Sequence, residues 1–286
     1  MGRKLIIILG PTAVGKTDFG IETALGCGSP VISCDSRQIY KEMSIGTAVP
    51  DASRLAAVRH YFIQTESVRT LYTAGDYERD ALALIGRLFS EGHDTLVMVG
   101  GSMLYMDAVC NGLDEMPDTP PALRAELTSR LEKEGLASLT EELLSIDPAA
   151  GGMIALDNPR RVLRALELCI STGKPYSSFR SGRVRKRDFE IEKIGLSRPR
   201  KLLYERIDRR VLDMMDAGLL DEVRSLRQYR HLPALNTVGY RELFDFLDGR
   251  ISLDEAVSLI QQNSRHYAKR QLTWWRRDKS VRWLEL

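Results

Sequence analysis

A glycine-rich segment near the N-terminus carries the residues best suited to chemistry in this chain. Residues 10–17 read GPTAVGKT and fit the phosphate-binding pattern G-x-x-x-x-G-K-[ST]. Its glycines let successive backbone N–H groups face one anion, Lys16 adds a point charge, and the Thr17 hydroxyl is a ligand for Mg²⁺. The segment predicts a diphosphate or polyphosphate site with Mg²⁺ as cofactor. The predicted contacts are Gly10, Thr12, Ala13, Val14, Gly15, Lys16 and Thr17.

The flanking residues predict how this segment is positioned. The apolar run 5–9 is typical of a buried strand, and residues 18–25 are typical of a helix, so the glycines lie at a strand-to-helix turn. Residues 31–34 and 95–99 are two further β-rich runs. Strands and helices that alternate in this way predict an α/β fold, in which a parallel sheet carries helices on both faces. Because ligands of such sheets bind at the carboxyl ends of the strands, the turns after these runs are predicted to meet at one edge.

Polar residues follow the second and third of these runs. Asp35 ends the second, and a carboxylate beside a phosphate loop serves either as an indirect Mg²⁺ ligand or as a general base. The residues alone leave both roles open. Gly100-Gly101 lets a ligand approach the backbone, and Ser102 offers a small hydroxyl. A tight strand-to-helix turn accounts equally well for the two glycines.

Basic residues are unevenly spread, although the net charge is only +2. Residues 265–286 hold seven Lys or Arg against two acids, interleaved with tryptophans, and residues 180–187 hold five basic residues and no acid. Such stretches can follow a nucleic-acid backbone and stack on bases, or they can form a solvated helix face. Charge alone does not decide between them. Arg206 and Arg210, at i,i+4 on a predicted helix, suit a diphosphate, but a surface helix paired with acidic neighbours is the simpler interpretation.

A proline-rich joint at residues 114–121 changes the character of the chain. Helical patterns follow at 122–134, 136–144 and 160–172, and Asn158 is a suitable N-cap for the last of them. Residues 191–196 predict a strand that returns to the first domain, and the remaining chain is predicted to be helical to its end. We therefore predict a core of residues 1–113 and 194–286 with a mostly helical insertion of residues 114–193.

Composition excludes several classes of protein. The four cysteines lack paired spacing, which argues against a zinc site or a disulfide framework. No segment has the length of a membrane span, and the N-terminal apolar run is too short for a signal peptide. We expect a monomer in the reducing cytoplasm, with no membrane partner.

Seven motifs occur in the order seen in bacterial tRNA dimethylallyltransferases. Besides the phosphate loop they are DSRQIY at 35–40, IGTA at 45–48, VGGSMLY at 99–105, NPRR at 158–161, VGYR at 238–241 and YAKRQLTW at 267–274. The chain resembles this family over essentially its whole length. The phosphate loop is generic, whereas GPTAxGKT, DSxQ and AKRQxTW together are specific to the family. One departure is Ser102, where the family usually has Thr.

The resemblance implies a P-loop NTPase-like core with a helical insertion domain. It also implies transfer of a dimethylallyl group from dimethylallyl diphosphate to the N6 amine of the adenosine 3′ of the anticodon, in tRNAs reading U-initial codons. Asp35 would be the general base, Ser102 would contact the bridging oxygen of the diphosphate, and Arg206 would join the diphosphate site. The residues implied to bind the tRNA anticodon stem-loop are Asp35, Ser36, Arg37, Gln38, Arg124, Arg160, Arg161, Arg164, Asn236, Gly239, Tyr240, Arg241, Lys269, Arg270, Gln271, Trp274 and Arg276.

Two other hypotheses use the same loop. A small-molecule kinase would bind ATP there and use Asp35 as the base for an alcohol. A nucleotide-gated RNA-binding module would not need Asp35 at all. The Arg- and Trp-rich C-terminus and the lack of an adenine signature disfavour the kinase.

Overall fold

The computed structural model describes residues 2–182 and 184–286. Its six-stranded sheet is parallel throughout, in the order β3-β2-β4-β1-β5-β6. The strands are β1 (Lys4–Leu9), β2 (Val31–Cys34), β3 (His60–Tyr61), β4 (Thr95–Gly100), β5 (Glu190–Ser197) and β6 (Val281–Glu285). The predicted α/β fold with a parallel sheet is thereby confirmed.

Helices cover both faces of this sheet. The helices of the described residues are α1 (Lys16–Cys27), α2 (Ala52–Ala57), α3 (Ala74–Ser90), α4 (Met103–Asn111), α5 (Pro121–Ile146), α6 (Ala150–Met153), α7 (Pro159–Thr172), α8 (Arg200–Asp216), α9 (Leu219–Ser225), α10 (Tyr240–Leu247) and α11 (Leu253–Trp275), with short 3₁₀ turns at Tyr176–Phe179, Arg227–Tyr229 and Pro233–Leu235. Leu5 and Ile7 of β1 pack with residues of α3 and α4, whereas Ile8 packs with residues of α1 and α8. Alternate side chains of one strand thus enter two cores, which explains why β1 is a continuous apolar run. No helix among the described residues is long and apolar enough to cross a membrane.

The chain divides into two compact units, one running to Cys110 and resuming at Lys186–Leu286, the other formed by Asn111–Arg185. The insertion was predicted to span residues 114–193. It ends earlier than predicted because β5 begins at Glu190, and the residues just before this strand belong to the sheet unit. In the helical unit, Gly135 has φ 81° and interrupts α5 where two helices were predicted. The Asn158 side chain accepts from the N–H groups of Arg160 and Arg161, as an N-cap does.

The prediction that the chain is helical to its end is wrong for residues 281–285. These form β6, which pairs in parallel with β5. Val281 is buried and Arg282 exposed, which is the alternation of a half-buried strand. The segment is short and charged, so its periodicity is weak, and the pairing with β5 rather than local propensity decides its conformation.

Candidate active site

The phosphate loop joins β1 to α1 in the predicted position. Gly10, Ala13 and Gly15 have φ of 150°, 62° and 116°. Gly10 also lies against β5, since a Cβ there would stand 2.7 Å from the Leu196 carbonyl oxygen. Gly15 is the N-cap of α1 and provides no side-chain cap. No cap side chain from the described residues therefore occupies the first N–H groups of α1, which lie at the positive end of the helix dipole and suit an anion.

Lys16 turns back over this loop. Its Nζ donates to the carbonyl oxygens of Gly10 and Pro11, both at 2.8 Å. Burial, followed by the nearby charge of Arg210, lowers the pKa of Lys16 to about 7, against the opposing effect of Asp35. An anion bound to the loop would provide a negative counter-charge for the ammonium group of Lys16.

Two arginines of α8 reach the same loop. Arg206 Nε donates to the Ala13 carbonyl at 2.9 Å, and an Arg210 Nη donates to Thr12 Oγ1 at 3.1 Å. Burial lowers the pKa of Arg210, again against the effect of Asp35. An exposed helix surface paired with acidic neighbours, the simpler interpretation, does not account for these contacts with the phosphate loop. Arg210, which the resemblance did not include among the diphosphate contacts, lies as close to the loop as Arg206 does.

Asp35 follows β2 and faces the loop. Its Oδ1 accepts from the N–H of Arg37 at 2.9 Å and of Gln38 at 3.2 Å, so the carboxylate stabilises its own turn. Its Oδ2 makes no hydrogen bond within residues 2–182 and 184–286. Asp35 thus presents one fixed and one available oxygen, which is the arrangement that a general base needs.

Two adjoining cavities open beside Asp35. The outer cleft, about 1230 Å³, extends from the phosphate loop past Gln38 and residues 44–55 to the exposed side of α8. The inner pocket, about 240 Å³, has Asp35, Thr12 and Arg210 in its wall. One part of the remaining lining is apolar and includes Ile207, Val211, Met214, Leu219, Val238 and Ile260, whereas Ser36, Arg37, Thr47, Thr237 and Ser264 add polar groups. An anion site therefore borders a small, partly apolar chamber, with a carboxylate between them.

Ser102 is buried and bonds to the turn that carries Asp35. Its Oγ accepts from the Ser36 N–H at 2.7 Å and donates to Ser36 Oγ at 3.0 Å. The hydroxyl therefore joins the end of β4 to the end of β2. Its predicted contact with a diphosphate stays a prediction.

Two residues predicted to bind tRNA have their side chains inside the protein. Gln271 is 1% exposed; its Oε1 accepts from the Thr12 N–H at 2.9 Å and its Nε2 donates to the Gly101 carbonyl at 2.8 Å. Tyr240 is fully buried and donates to Glu222 Oε1 at 2.6 Å. Both side chains are hydrogen-bonded internally, and Gln271 holds the phosphate loop against the β4–α4 turn. Their contacts with tRNA stay predictions.

The remaining predicted tRNA contacts of the sheet unit fall into three groups. Ser36, Arg37 and Gly239 line the inner pocket, whereas Trp274 is half-buried against the main core. The exposed members are Asn236, Arg241, Lys269, Arg270 and Arg276. Lys269, Arg270 and Arg276 have no ion pair within the described ranges, as expected of residues available to phosphates.

The arginines of the helical unit also differ among themselves. Arg160 and Arg161 are exposed. Arg124 donates to both carboxylate oxygens of Glu167, at 2.6 and 2.8 Å, and Arg164 donates to the same residue at 3.3 Å. The Glu167 side chain is only 2% exposed, so these two arginines have a structural role even without a ligand.

Most of the basic stretch 180–187 is paired internally. Arg180 lies 3.5 Å from Asp114, Arg185 lies 2.9 Å from Glu115, and Arg187 contacts Glu78 at 2.9 Å. Arg183 lies outside the described residues. The density of positive charge in the sequence therefore overstates the charge that this stretch offers to a nucleic acid.

Comparison with known proteins agrees with this geometry. The family model described as IPP transferase matches residues 38–278. The chain is 48% identical over 281 residues to tRNA dimethylallyltransferase 2 of Azobacteroides pseudotrichonymphae, covering 98% of this chain and 91% of that one. It is 47% identical over 279 residues to tRNA dimethylallyltransferase 1 of Bacteroides thetaiotaomicron, covering 98% and 90%.

Solved structures show the same similarity. A tRNA isopentenylpyrophosphate transferase from Bacillus halodurans is 37% identical with a TM-score of 0.72, covering 99% of this chain and 90% of that one. A eukaryotic dimethylallyltransferase acting on tRNA is 24% identical with a TM-score of 0.82, covering 99% and 74%. The second comparison supports the fold alone.

Proposed function

Because this chain belongs to the IPP transferase family, we propose that it is a prenyltransferase that modifies tRNA. The group transferred is dimethylallyl, the donor is dimethylallyl diphosphate, and the acceptor is the N6 amine of the adenosine 3′ of the anticodon in tRNAs reading U-initial codons. The observation that carries the proposal is the available oxygen of Asp35 between the phosphate loop and the inner pocket. The comparisons do not favour the kinase hypothesis.

The phosphate loop is suited to the diphosphate of this donor. Its N–H groups, Lys16, Arg206 and Arg210 surround one anion site. The Thr17 hydroxyl lines the outer cleft and makes no hydrogen bond within the described part of the chain. A single hydroxyl fits Mg²⁺, which is commonly held by one or two protein oxygens together with substrate phosphates. When bound, Mg²⁺ would neutralise charge on the diphosphate.

The transfer step follows from these positions. The lone pair of the adenosine amine attacks C1 of the dimethylallyl group, and the C1–O bond breaks with its electron pair leaving on the diphosphate. Lys16, Arg206 and Arg210 stabilise that developing charge. Asp35 Oδ2 orients the amine and accepts its proton, because an aromatic amine is a weak nucleophile until the proton leaves. The target base must leave its stack to reach this depth.

The inner pocket is suited to the dimethylallyl group, since its wall carries an apolar patch that includes Ile207, Val211 and Met214. We expect Val211→Phe, which fills part of the pocket, to raise KM for dimethylallyl diphosphate about tenfold, the cost of mild overpacking. Binding of inorganic diphosphate should not change. Leu212→Phe is the matched control, because Leu212 is the next residue of α8 and is 42% exposed. Equal losses of affinity for dimethylallyl diphosphate and inorganic diphosphate would show that the dimethylallyl group binds elsewhere.

The arginines of α7 and α5 should separate into two classes. Arg160→Ala or Arg161→Ala should weaken binding of all substrate tRNAs alike and reduce the slope of log K against log [salt] by about one unit. Fluorescence titration of an anticodon stem-loop at several salt concentrations measures this. An unchanged slope would assign both residues to a solvated helix face.

Arg124→Ala should instead destabilise the protein. It removes two hydrogen bonds from the buried Glu167 carboxylate, so the free energy of unfolding should fall by about 1–3 kcal/mol. Burial by itself would raise the pKa of Glu167, but Arg124 and Arg164 lower it. Denaturant unfolding of Arg124→Ala beside Arg160→Ala tests the distinction, and equal stability of the two variants would contradict it.

We also propose that the protein acts as a monomer in the cytoplasm. The groups assigned to donor binding and proton transfer all come from one chain, and Cys27, Cys34, Cys110 and Cys169 are free thiols, as suits a reducing compartment.

The proposed acceptor is tested with two anticodon stem-loops that differ only in adenosine or guanosine at the position 3′ of the anticodon. After reaction with dimethylallyl diphosphate and Mg²⁺, the nucleosides are analysed by mass spectrometry. Only the first stem-loop should yield a prenylated nucleoside, with the group on N6. Modification of the second, or at another atom, would overturn the assignment.

A further inference from the structure

Glu222 of α9 binds a loop that the proposed chemistry does not use directly. Its Oε2 accepts from the N–H groups of Ser44 at 2.9 Å and Ile45 at 2.7 Å, and its Oε1 accepts from the N–H of Gly46 at 3.0 Å. Three successive backbone donors thus converge on one carboxylate, an arrangement that commonly binds anions. Here a side chain of the protein fills that site.

Tyr240 fixes Glu222 from the other side. Its hydroxyl donates to Glu222 Oε1 at 2.6 Å, and its ring leaves no room for a side chain at Gly46, where a Cβ would stand 2.6 Å from the ring. The carboxylate therefore has four hydrogen-bond donors. The loop of residues 44–48, which contains the IGTA motif, is thereby held by α9 and α10.

This loop in turn orients Gln38. The Gln38 Nε2 donates to the carbonyl oxygens of Thr47 at 3.0 Å and Ala48 at 2.9 Å. Only the NH₂ end of an amide can face two carbonyls, so the orientation of the Gln38 side chain is determined. Gln38 lines the outer cleft, and its Oε1 makes no hydrogen bond within the described residues. Gln38 is consequently presented to the cleft as an acceptor.

We propose that Glu222 is a positioning residue for base recognition: by holding residues 44–46 it fixes the carbonyls of Thr47 and Ala48, which make Gln38 an obligate hydrogen-bond acceptor. The inference rests on the proposed function, in which a tRNA base enters the cleft beside Asp35. The partner of Gln38 is then an N–H group on the target base or its neighbour. A base edge without a donor at that point would be rejected, because it leaves the amide oxygen unpaired.

The positioning is measured without tRNA. The side-chain amide signals of Gln38 are assigned in the nuclear magnetic resonance spectrum of the intact protein. They are the signals that vanish in the spectrum of Gln38→Ala. Glu222→Gln keeps the size of the side chain but replaces one acceptor oxygen by a donor that faces backbone N–H groups. We expect exchange of the Gln38 NH₂ with water to rise about tenfold in this variant. Asp221→Asn, an exposed neighbour on the same helix, is the matched control and should show no change.

The consequence for recognition is measured with the parent stem-loop and stem-loops substituted beside the target adenosine. Glu222→Gln should reduce the ratio of kcat/KM between parent and substituted loops about fivefold to tenfold, with inorganic diphosphate bound as before. In a Gln38→Ala background the same substitution should cause no further loss. Tyr240→Phe, which removes one donor and preserves the ring, should give a smaller effect in the same direction.

The possible outcomes separate the positioning role of Glu222 from the recognition of a base by Gln38. Unchanged exchange of the Gln38 amide in Glu222→Gln would overturn the positioning role. Faster exchange with unchanged discrimination would retain the effect of Glu222 on Gln38 but overturn its role in recognition, together with the contact of Gln38 with a base. A loss of discrimination that persists without Gln38 would show that Glu222 acts on the cleft by another route and would overturn the proposal.

Discussion

Asp35→Asn is expected to lower turnover by roughly 10²- to 10⁴-fold, the range for loss of a general base. The carboxamide keeps an oxygen for the N–H groups of Arg37 and Gln38, so the turn should survive, but it accepts no proton. Affinity for dimethylallyl diphosphate should stay within about twofold. Single-turnover kinetics with saturating stem-loop measures the chemical step, and calorimetry measures donor binding.

Asp213→Asn is the matched control for this prediction. Asp213 lines the outer cleft on α8 and is exposed, and no role in the reaction is assigned to it. Its amide variant should turn over like the parent protein. Near-parental turnover in Asp35→Asn would remove Asp35 as the base, and a parallel collapse of donor affinity would instead indicate a role in binding.

Lys16→Ala is expected to weaken binding of inorganic diphosphate roughly 30- to 100-fold, because it removes a charged donor from a partly desolvated site. Lys201→Ala, an exposed lysine on α8, controls for the loss of one positive charge. Calorimetric titration with diphosphate compares the two. Equal affinity of Lys16→Ala and parent would show that the diphosphate is bound elsewhere.

The pH dependence of this binding follows from the lowered pKa of Lys16, about 7 in the free protein. Bound diphosphate favours the charged lysine and raises that pKa again, so above pH 7 binding must take up a proton. Near pH 8 the parent should take up about one proton more than Lys16→Ala, and the difference should vanish near pH 6. Calorimetry in buffers of different ionisation enthalpy measures the uptake. No difference at pH 8 would mean that Lys16 is charged before the ligand binds.

Much of the site could be predicted from local sequence patterns, because the physics of a parallel sheet brings the ends of its strands together. β1, β2 and β4 each end in the turn that was expected, and Asp35 lies close enough to Lys16 to affect the pKa of that lysine. The positions of the turns and the proximity of Asp35 to Lys16 both follow from strand order and direction, without knowledge of side-chain packing.

The rest depends on tertiary contacts between residues far apart in the chain. Gln271 lies in a basic, Trp-rich stretch typical of a nucleic-acid surface, yet it is buried against the phosphate loop because its helix packs there. Arg210 differs from an ordinary surface arginine through its burial in the pocket wall and its contact with Thr12, and both depend on the folded structure. The pattern of charges along a helix describes the surface of that helix in isolation. It does not tell which residues a neighbouring element covers in the folded protein.

Incubation of the parent protein with labelled dimethylallyl diphosphate, unmodified tRNA and Mg²⁺ distinguishes prenyl transfer from phosphoryl transfer when labelled ATP replaces the donor in a parallel reaction. We expect prenyl label on the tRNA with release of an equal amount of diphosphate, and no transfer from ATP. Unlabelled tRNA in the first reaction, or phosphoryl transfer in the second, would contradict this expectation.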